Sequence, residues 1–134
     1  MDIRENVAQI TRQLLGDRCK DWVEIRERYL RDGVSIRLGG LAANLRRIKS
    51  FASRDANRVA VMSLVDESKH FIEWTAMETG IDTAAELVEL QIMLAYWQLK
   101  WESFWEDPIQ RNQLAEQSQI WSDRILNLSG LLQA

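Results

Sequence analysis

A single proline, Pro108, in 134 residues is the feature that most limits what this chain can fold into. Proline and glycine are the residues that end helices and strands, and only six glycines accompany that proline. A fold of many short strands needs a turn signal every ~8–12 residues, and the chain lacks them. Helix formers fill the intervals. The expected class is therefore all-α, with a few long helices.

The apolar spacing divides the chain. Ile3, Val7, Ile10 and Leu14 recur at helical steps, with Gly16 as a C-cap and Asp17 as the next N-cap. Trp22, Val23, Arg26, Tyr29 and Leu30 predict a second helix ending near Asp32-Gly33. Val34, Ile36 and Leu38 alternate with polar residues, which fits either a short extended piece or a two-glycine joint at Gly39-Gly40. Leu41, Leu45, Ile48 and Ala52 mark a third helix, followed by a break at 53–57 with Asp55 as a cap. A fourth helix is expected over 58–78, ended by Thr79-Gly80. Thr83 and Glu86 have the spacing of a capping box, in which each side chain accepts the other residue's free N–H. A fifth helix then carries Leu87, Leu90, Leu94, Trp97, Trp101 and Phe104. Asp107-Pro108 is a start signal, because aspartate accepts a free N–H and proline lacks one that would go unused. The last helix carries Leu114, Ser118, Trp121, Ile125 and Leu128 and stops at Gly130.

Together these predict one domain over 1–134: a five- to six-helix bundle closed by a C-terminal antiparallel helical hairpin. The length suffices to bury a core without disulfides or a structural metal. Cys19 has no second cysteine to pair with, which fits a reducing compartment. Met1-Asp2-Ile3-Arg4-Glu5 lacks the basic start and apolar run of a secretion signal, and no apolar stretch reaches membrane-spanning length. A cytoplasmic protein is expected.

Composition removes most chemistries. One histidine and one cysteine cannot supply the four ligands of a structural zinc site. Glu67-Ser68-Lys69-His70 provides one Glu-x-x-His pair, and a carboxylate-bridged di-iron bundle needs two. No nucleophile elbow and no phosphate-binding glycine loop occurs. Cys19 lies in a charged stretch. No metal, cofactor or catalytic set is nominated, and a non-enzymatic protein is expected.

The net charge of −3 hides an asymmetry. Residues 34–58 carry +5, through Arg37, Arg46, Arg47, Lys49, Arg54 and Arg58 against Asp55, whereas residues 59–109 carry −8. Three readings follow. The basic helix is neutralised by the acidic helices within the bundle. Or the basic segment 37–58 docks nucleic acid, with short helices about Gly39-Gly40 in helix-turn-helix spacing. Or the charges steer a protein partner or a second copy.

The six tryptophans are the second asymmetry. Trp97, Trp101 and Trp105 stand four apart, so each drifts ~40° around a helix. Trp97 and Trp101 then share the core seam, Trp121 stacks near one of them and Trp105 swings to the seam's edge; core packing is expected for the set, with Trp105 or Trp74 the one at the surface if any is exposed. Glu67, His70, Glu73 and Trp74 fall within two turns. They fit either a polar recognition patch or a cross-helix pairing of Glu67 or Glu73 with Arg46 or Arg47. Arg46, Arg47, Lys49, Glu67, His70, Glu73, Trp74 and Trp105 are thus the candidate partner-binding residues.

The motifs Ser35-Ile36-Arg37-Leu38-Gly39-Gly40-Leu41-Ala42-Ala43-Asn44-Leu45-Arg46-Arg47-Ile48, Glu67-Ser68-Lys69-His70-Phe71-Ile72-Glu73-Trp74-Thr75-Ala76 and Trp121-Ser122-Asp123-Arg124-Ile125-Leu126 carry a resemblance, extended by Ser129-Gly130-Leu131-Leu132. Over residues 34–132 the chain resembles a family of short, uncharacterised cyanobacterial proteins. The resemblance implies a source and a compartment, and no activity. The function expected from the residues is a small helical protein–protein interaction or regulatory module. It would self-associate through the tryptophan-bearing fifth and sixth helices. The alternative is nucleic-acid binding through 37–58.

Overall fold

The computed structural model describes residues 21–132. The helix expected over 3–14, the Gly16 and Asp17 caps and Cys19 lie outside the described residues. The chain divides into two units, Met1–Arg31 and Asp32–Ala134.

In the first unit, helix α1 (Trp22–Leu30) begins at Asp21, whose carboxylate accepts from the Glu24 N–H at 3.1 Å. That bond satisfies one of the donors a helix start leaves free. Glu24 and Arg28 pair one turn apart at 3.1 Å, both well exposed.

The second unit holds α2 (Val34–Phe51), α3 (Arg58–Thr75), α4 (Ile81–Leu99), α5 (Trp101–Glu106) and α6 (Pro108–Ser129), with 3-10 turns at Asp55–Asn57 and Ala76–Glu78. Among the described residues the protein is all-α, without a strand. Helix α2 is the centre of the bundle. It packs most extensively on α6 and next on α3, and α3 in turn carries α4. Leu41, Leu45, Ile48, Val61, Val65, Leu87, Leu90, Leu94, Leu114 and Ile125 form the fully buried core. Ser122, also buried, donates to the Ala42 carbonyl at 2.7 Å and ties α6 to α2.

The last helix begins and ends as its sequence signals require. Asp107 accepts from the Ile109 N–H at 2.9 Å, and Pro108 occupies the first turn. Gly130 closes the helix with φ 77°, a left-handed conformation that only glycine adopts without a steric penalty. Helix α5 packs on α6 across this turn.

Several expectations need correction. Residues 34–51 form one continuous helix, so there is neither an extended piece nor a joint at Gly39-Gly40, and no helix-turn-helix. The buried stripe of Leu38, Leu41, Ala42, Leu45 and Ile48 runs straight past the glycines, and burying it offsets their poor helix propensity. Gly39 also has a packing role, since a Cβ there would lie 2.7 Å from Leu131 Cδ1. The capping box at Thr83 and Glu86 does not form. Helix α4 starts earlier, at Ile81 behind Gly80, and Glu86 pairs instead with Arg124 of α6. Asp55 caps no α-helix; it lies in a 3-10 turn and pairs with Arg111.

The fifth helix is interrupted. Lys100 leaves helical geometry (φ −109°, ψ 29°), its N–H still bonded to Tyr96, and the chain restarts at Trp101. The phase carried from Trp97 therefore resets. Trp105 is 4% exposed, stacked on Trp101 with ring centroids 5.4 Å apart and planes 16° from parallel. Trp105 does not swing to the seam's edge, because that expectation assumes one unbroken helix. Trp97 and Trp101 are buried as expected. Trp121 stacks against a cation, the Arg124 guanidinium lying 3.9 Å from its ring centroid.

Arg37 is buried and fastens α2 to the turn after α3. It donates from Nε to the Asp32 carbonyl at 2.8 Å and from its terminal nitrogens to the Glu78 carboxylate. The hydrogen bond from Arg37 holds the Glu78 carboxyl below its ordinary value of 4.5. A carboxyl whose folded pKa lies below its unfolded pKa stabilises the fold above the unfolded value. It loses that effect as pH falls through the folded value. Glu78→Gln is therefore expected to melt below the native protein at neutral pH. The gap should close as the pH is taken below about 4.5. Melting curves at several pH values check this, and a gap that stays constant into acid rules out the Arg37 pairing as its source.

Candidate functional site

Helix α4 carries two apolar stripes. Leu87, Leu90, Leu94 and Trp97 face inward and are buried. Ile81, Ala85, Val88, Ile92, Ala95 and Leu99 form the second, at steps of four, three, four, three and four. Every member of the second stripe is exposed: Ile81 87%, Val88 53%, Ile92 66% and Leu99 77%, with Ala85 and Ala95 between them. Tyr96, half exposed, borders the stripe and meets Phe104 edge-on at 5.5 Å.

A helix apolar all round is normally buried all round. Here one side is covered by the bundle and the other is not. The 19 residues of α4 run ~28 Å, so the open stripe is as long as the helix is. Its spacing is that of a coiled-coil seam, in which alternating steps of three and four keep side chains on one line. The charged rim is sparse. Asp82 and Glu89 flank one edge, Gln91 and Gln98 the other, and Lys100 stands at the C-terminal end. Glu89 lies 4.0 Å from Arg124 and Glu86 is paired with the same arginine. Gln98 accepts from Lys69 at 2.7 Å, which fixes that edge against α3.

The residues singled out in the sequence fall into separate places. Arg46, Arg47 and Lys49 are exposed on α2. Arg47 donates to Asn44 Oδ1 and Asn44 Nδ2 donates to Glu67, each at 3.1 Å. Glu67 and Arg47 are thus joined across α2 and α3 through a buried asparagine, which is not among the candidate residues of the sequence. His70 is half-buried, and its Nδ1 donates to the Asp66 carbonyl at 2.8 Å. Trp74 is half-buried beside His70 and Phe71, at ring-centroid distances of 5.6 and 6.0 Å. Glu73 is exposed and accepts from Gln91 at 3.5 Å. Trp105 belongs to none of these groups; it packs inside, with the Arg111 guanidinium 5.4 Å from its ring centroid.

The charge asymmetry is resolved in part within the fold. Arg37 pairs with Glu78 and Arg58 with Glu102, both basic-to-acidic contacts between segments. Arg46, Lys49 and Arg54 enter no ion pair among the described residues.

Two cavities are lined by described residues. Trp101 Nε1 is buried and has no acceptor among the described residues, and Trp101 lines a cavity of about 160 Å³ with Met62, Val65 and Gln98. Ligand pockets typically enclose ~300–1,000 Å³. A larger cleft of about 360 Å³ between the end of α2 and the start of α6 is lined by Lys49, Ser50, Ser53, Arg111 and Asn112. Among the described residues, no three His, Cys, Asp or Glu side chains come together as a metal site. No described helix is long and apolar enough to cross a membrane.

The open stripe on α4 is not among the residues expected from the sequence, because the stronger leucine series on the same helix masks it. A second heptad series interleaved with the first was the available signal. No protein family, curated protein or solved structure matches the chain.

Proposed function

We propose that this protein is a non-enzymatic, cytoplasmic interaction or regulatory module that works by associating with a copy of itself. The observation that supports this reading is the open apolar stripe on α4. Scattered exposed apolar residues are ordinary, whereas a contiguous row of them marks a contact surface. The surface lies on the fifth helix expected from the sequence, but aliphatic residues make it up, while the tryptophans face inward. The resemblance to short cyanobacterial proteins fits a module of this size and adds no activity to it.

Ile92→Glu tests the reading. At 66% exposure the substitution should leave the folded chain nearly as stable, within about 0.5 kcal/mol. At a contact it would bury a charge on each copy, weakening association by about 100-fold or more. Sedimentation equilibrium over a range of concentrations should show the native chain associating and the variant monomeric. A native chain that stays monomeric at every concentration rejects self-association.

Nucleic-acid binding through 37–58 is the second reading, favoured by the exposed Arg46, Lys49 and Arg54, which enter no ion pair among the described residues. The overall charge of −3 opposes it. Binding of labelled duplex or single strand at low salt, lost on adding salt, would support it.

A further inference from the structure

We propose that two copies pair α4 against α4 in antiparallel register about a two-fold axis at Leu90, which sets Ile81 on Leu99, Ala85 on Ala95 and Val88 on Ile92. The inference rests on the self-association reading and supplies its geometry.

The stripe reads the same from both ends. Its members are large, small, large, large, small and large, and positions 81 and 99, 85 and 95, and 88 and 92 are equidistant from 90. A two-fold contact uses one patch twice, so the patch must complement itself when reversed. This one does. The alanines fall opposite each other at two symmetric points, where the missing side-chain bulk lets the backbones approach. The four larger residues on each copy fill the middle and the ends.

Charge selects the antiparallel direction over the parallel one. The start of α4 is acidic through Asp82, and its end is basic through Lys100. A parallel pair would gather both acidic starts at one end of the seam and both Lys100 ends at the other. The antiparallel pair brings Lys100 of each copy to the acidic start of the other, and like charges in apposition are what disfavour wrong pairings. Opposed helix dipoles act in the same direction. Near the axis Glu89 would approach its own copy, but Arg124 already stands 4.0 Å from it.

Disulfide trapping in the full chain tests the register, in a Cys19→Ser background. Ala85→Cys chains are mixed with Ala95→Cys chains and oxidised mildly. The mixture is expected to shift to twice the chain mass on a non-reducing gel. Each variant alone is expected to stay at the single-chain mass, because two copies of position 85 would lie ten residues apart along the pair. That is ~15 Å, beyond the ~7 Å between Cα atoms that a disulfide spans. Ala85→Cys linking to itself would show a parallel pair and overturn the proposal while keeping self-association. An associating chain that traps no mixed product would overturn it too. A chain that sediments as a monomer would overturn both.

Discussion

Trp121→Ala is expected to cost about 3–5 kcal/mol of stability, the range for removing a large buried aromatic side chain. For a chain of this length that is a fall of roughly 10–20 °C in melting temperature. Trp121 is 4% exposed on α6, and its ring carries the Arg124 guanidinium at 3.9 Å. The alanine leaves a cavity and removes the surface that positions Arg124. Arg124 in turn holds Glu86 and faces Glu89, so α4 loses its charged tie to α6. Arg124→Gln should cost much less, because it keeps the ring and removes only the cation and the ion pair. Thermal melts of the two variants check the order. A Trp121→Ala chain that melts within two degrees of the native protein would show that the ring is not part of the packed core.

Leu45→Ala is expected to cost about 2–5 kcal/mol, by lost transfer energy and the cavity left behind. Leu45 is fully buried on α2, the helix that packs on both α6 and α3. The surrounding helices are held by many other contacts and can close the gap only in part. Ile109→Ala makes the contrast, since Ile109 is 71% exposed and its truncation should stay within about 0.5 kcal/mol. Urea unfolding of both, with unchanged slope, measures the difference. Equal midpoints would contradict the central place of α2.

The parts of the fold that were legible are those set by neighbours in sequence. Asp107-Pro108 and Gly130 acted as start and stop because caps depend on backbone groups within a turn of them. The leucine and isoleucine rows of α3, α4 and α6 were legible because a helix places every third or fourth side chain on one face. Gly39-Gly40 was misread because glycine propensity is a weak local preference, and the buried row on α2 overrides it. Lys100 was missed because nothing in its neighbours signals a break. The row from Leu87 to Phe104 continues across it, and only the packing of Trp101 and Trp105 shows the reset.

The candidate site divides the same way. Arg46, Arg47 and Lys49 are candidate partner-binding residues by their clustered charge, and all three are exposed. One of the two readings pairs Glu67 or Glu73 with Arg46 or Arg47, and the structure links Glu67 to Arg47 through Asn44. Which polar groups meet across helices depends on the rotation of α2 against α3, and no local rule sets that.

The sequence by itself determined the all-α class, the position of the last turn and the two apolar rows of α4, because helix periodicity and capping are local. Only the tertiary structure decided which row is covered. Both rows satisfy the same spacing, and burial goes to the one that meets α3 and its neighbours with leucines and Trp97. The row from Ile81 to Leu99 faces away from that core and is exposed.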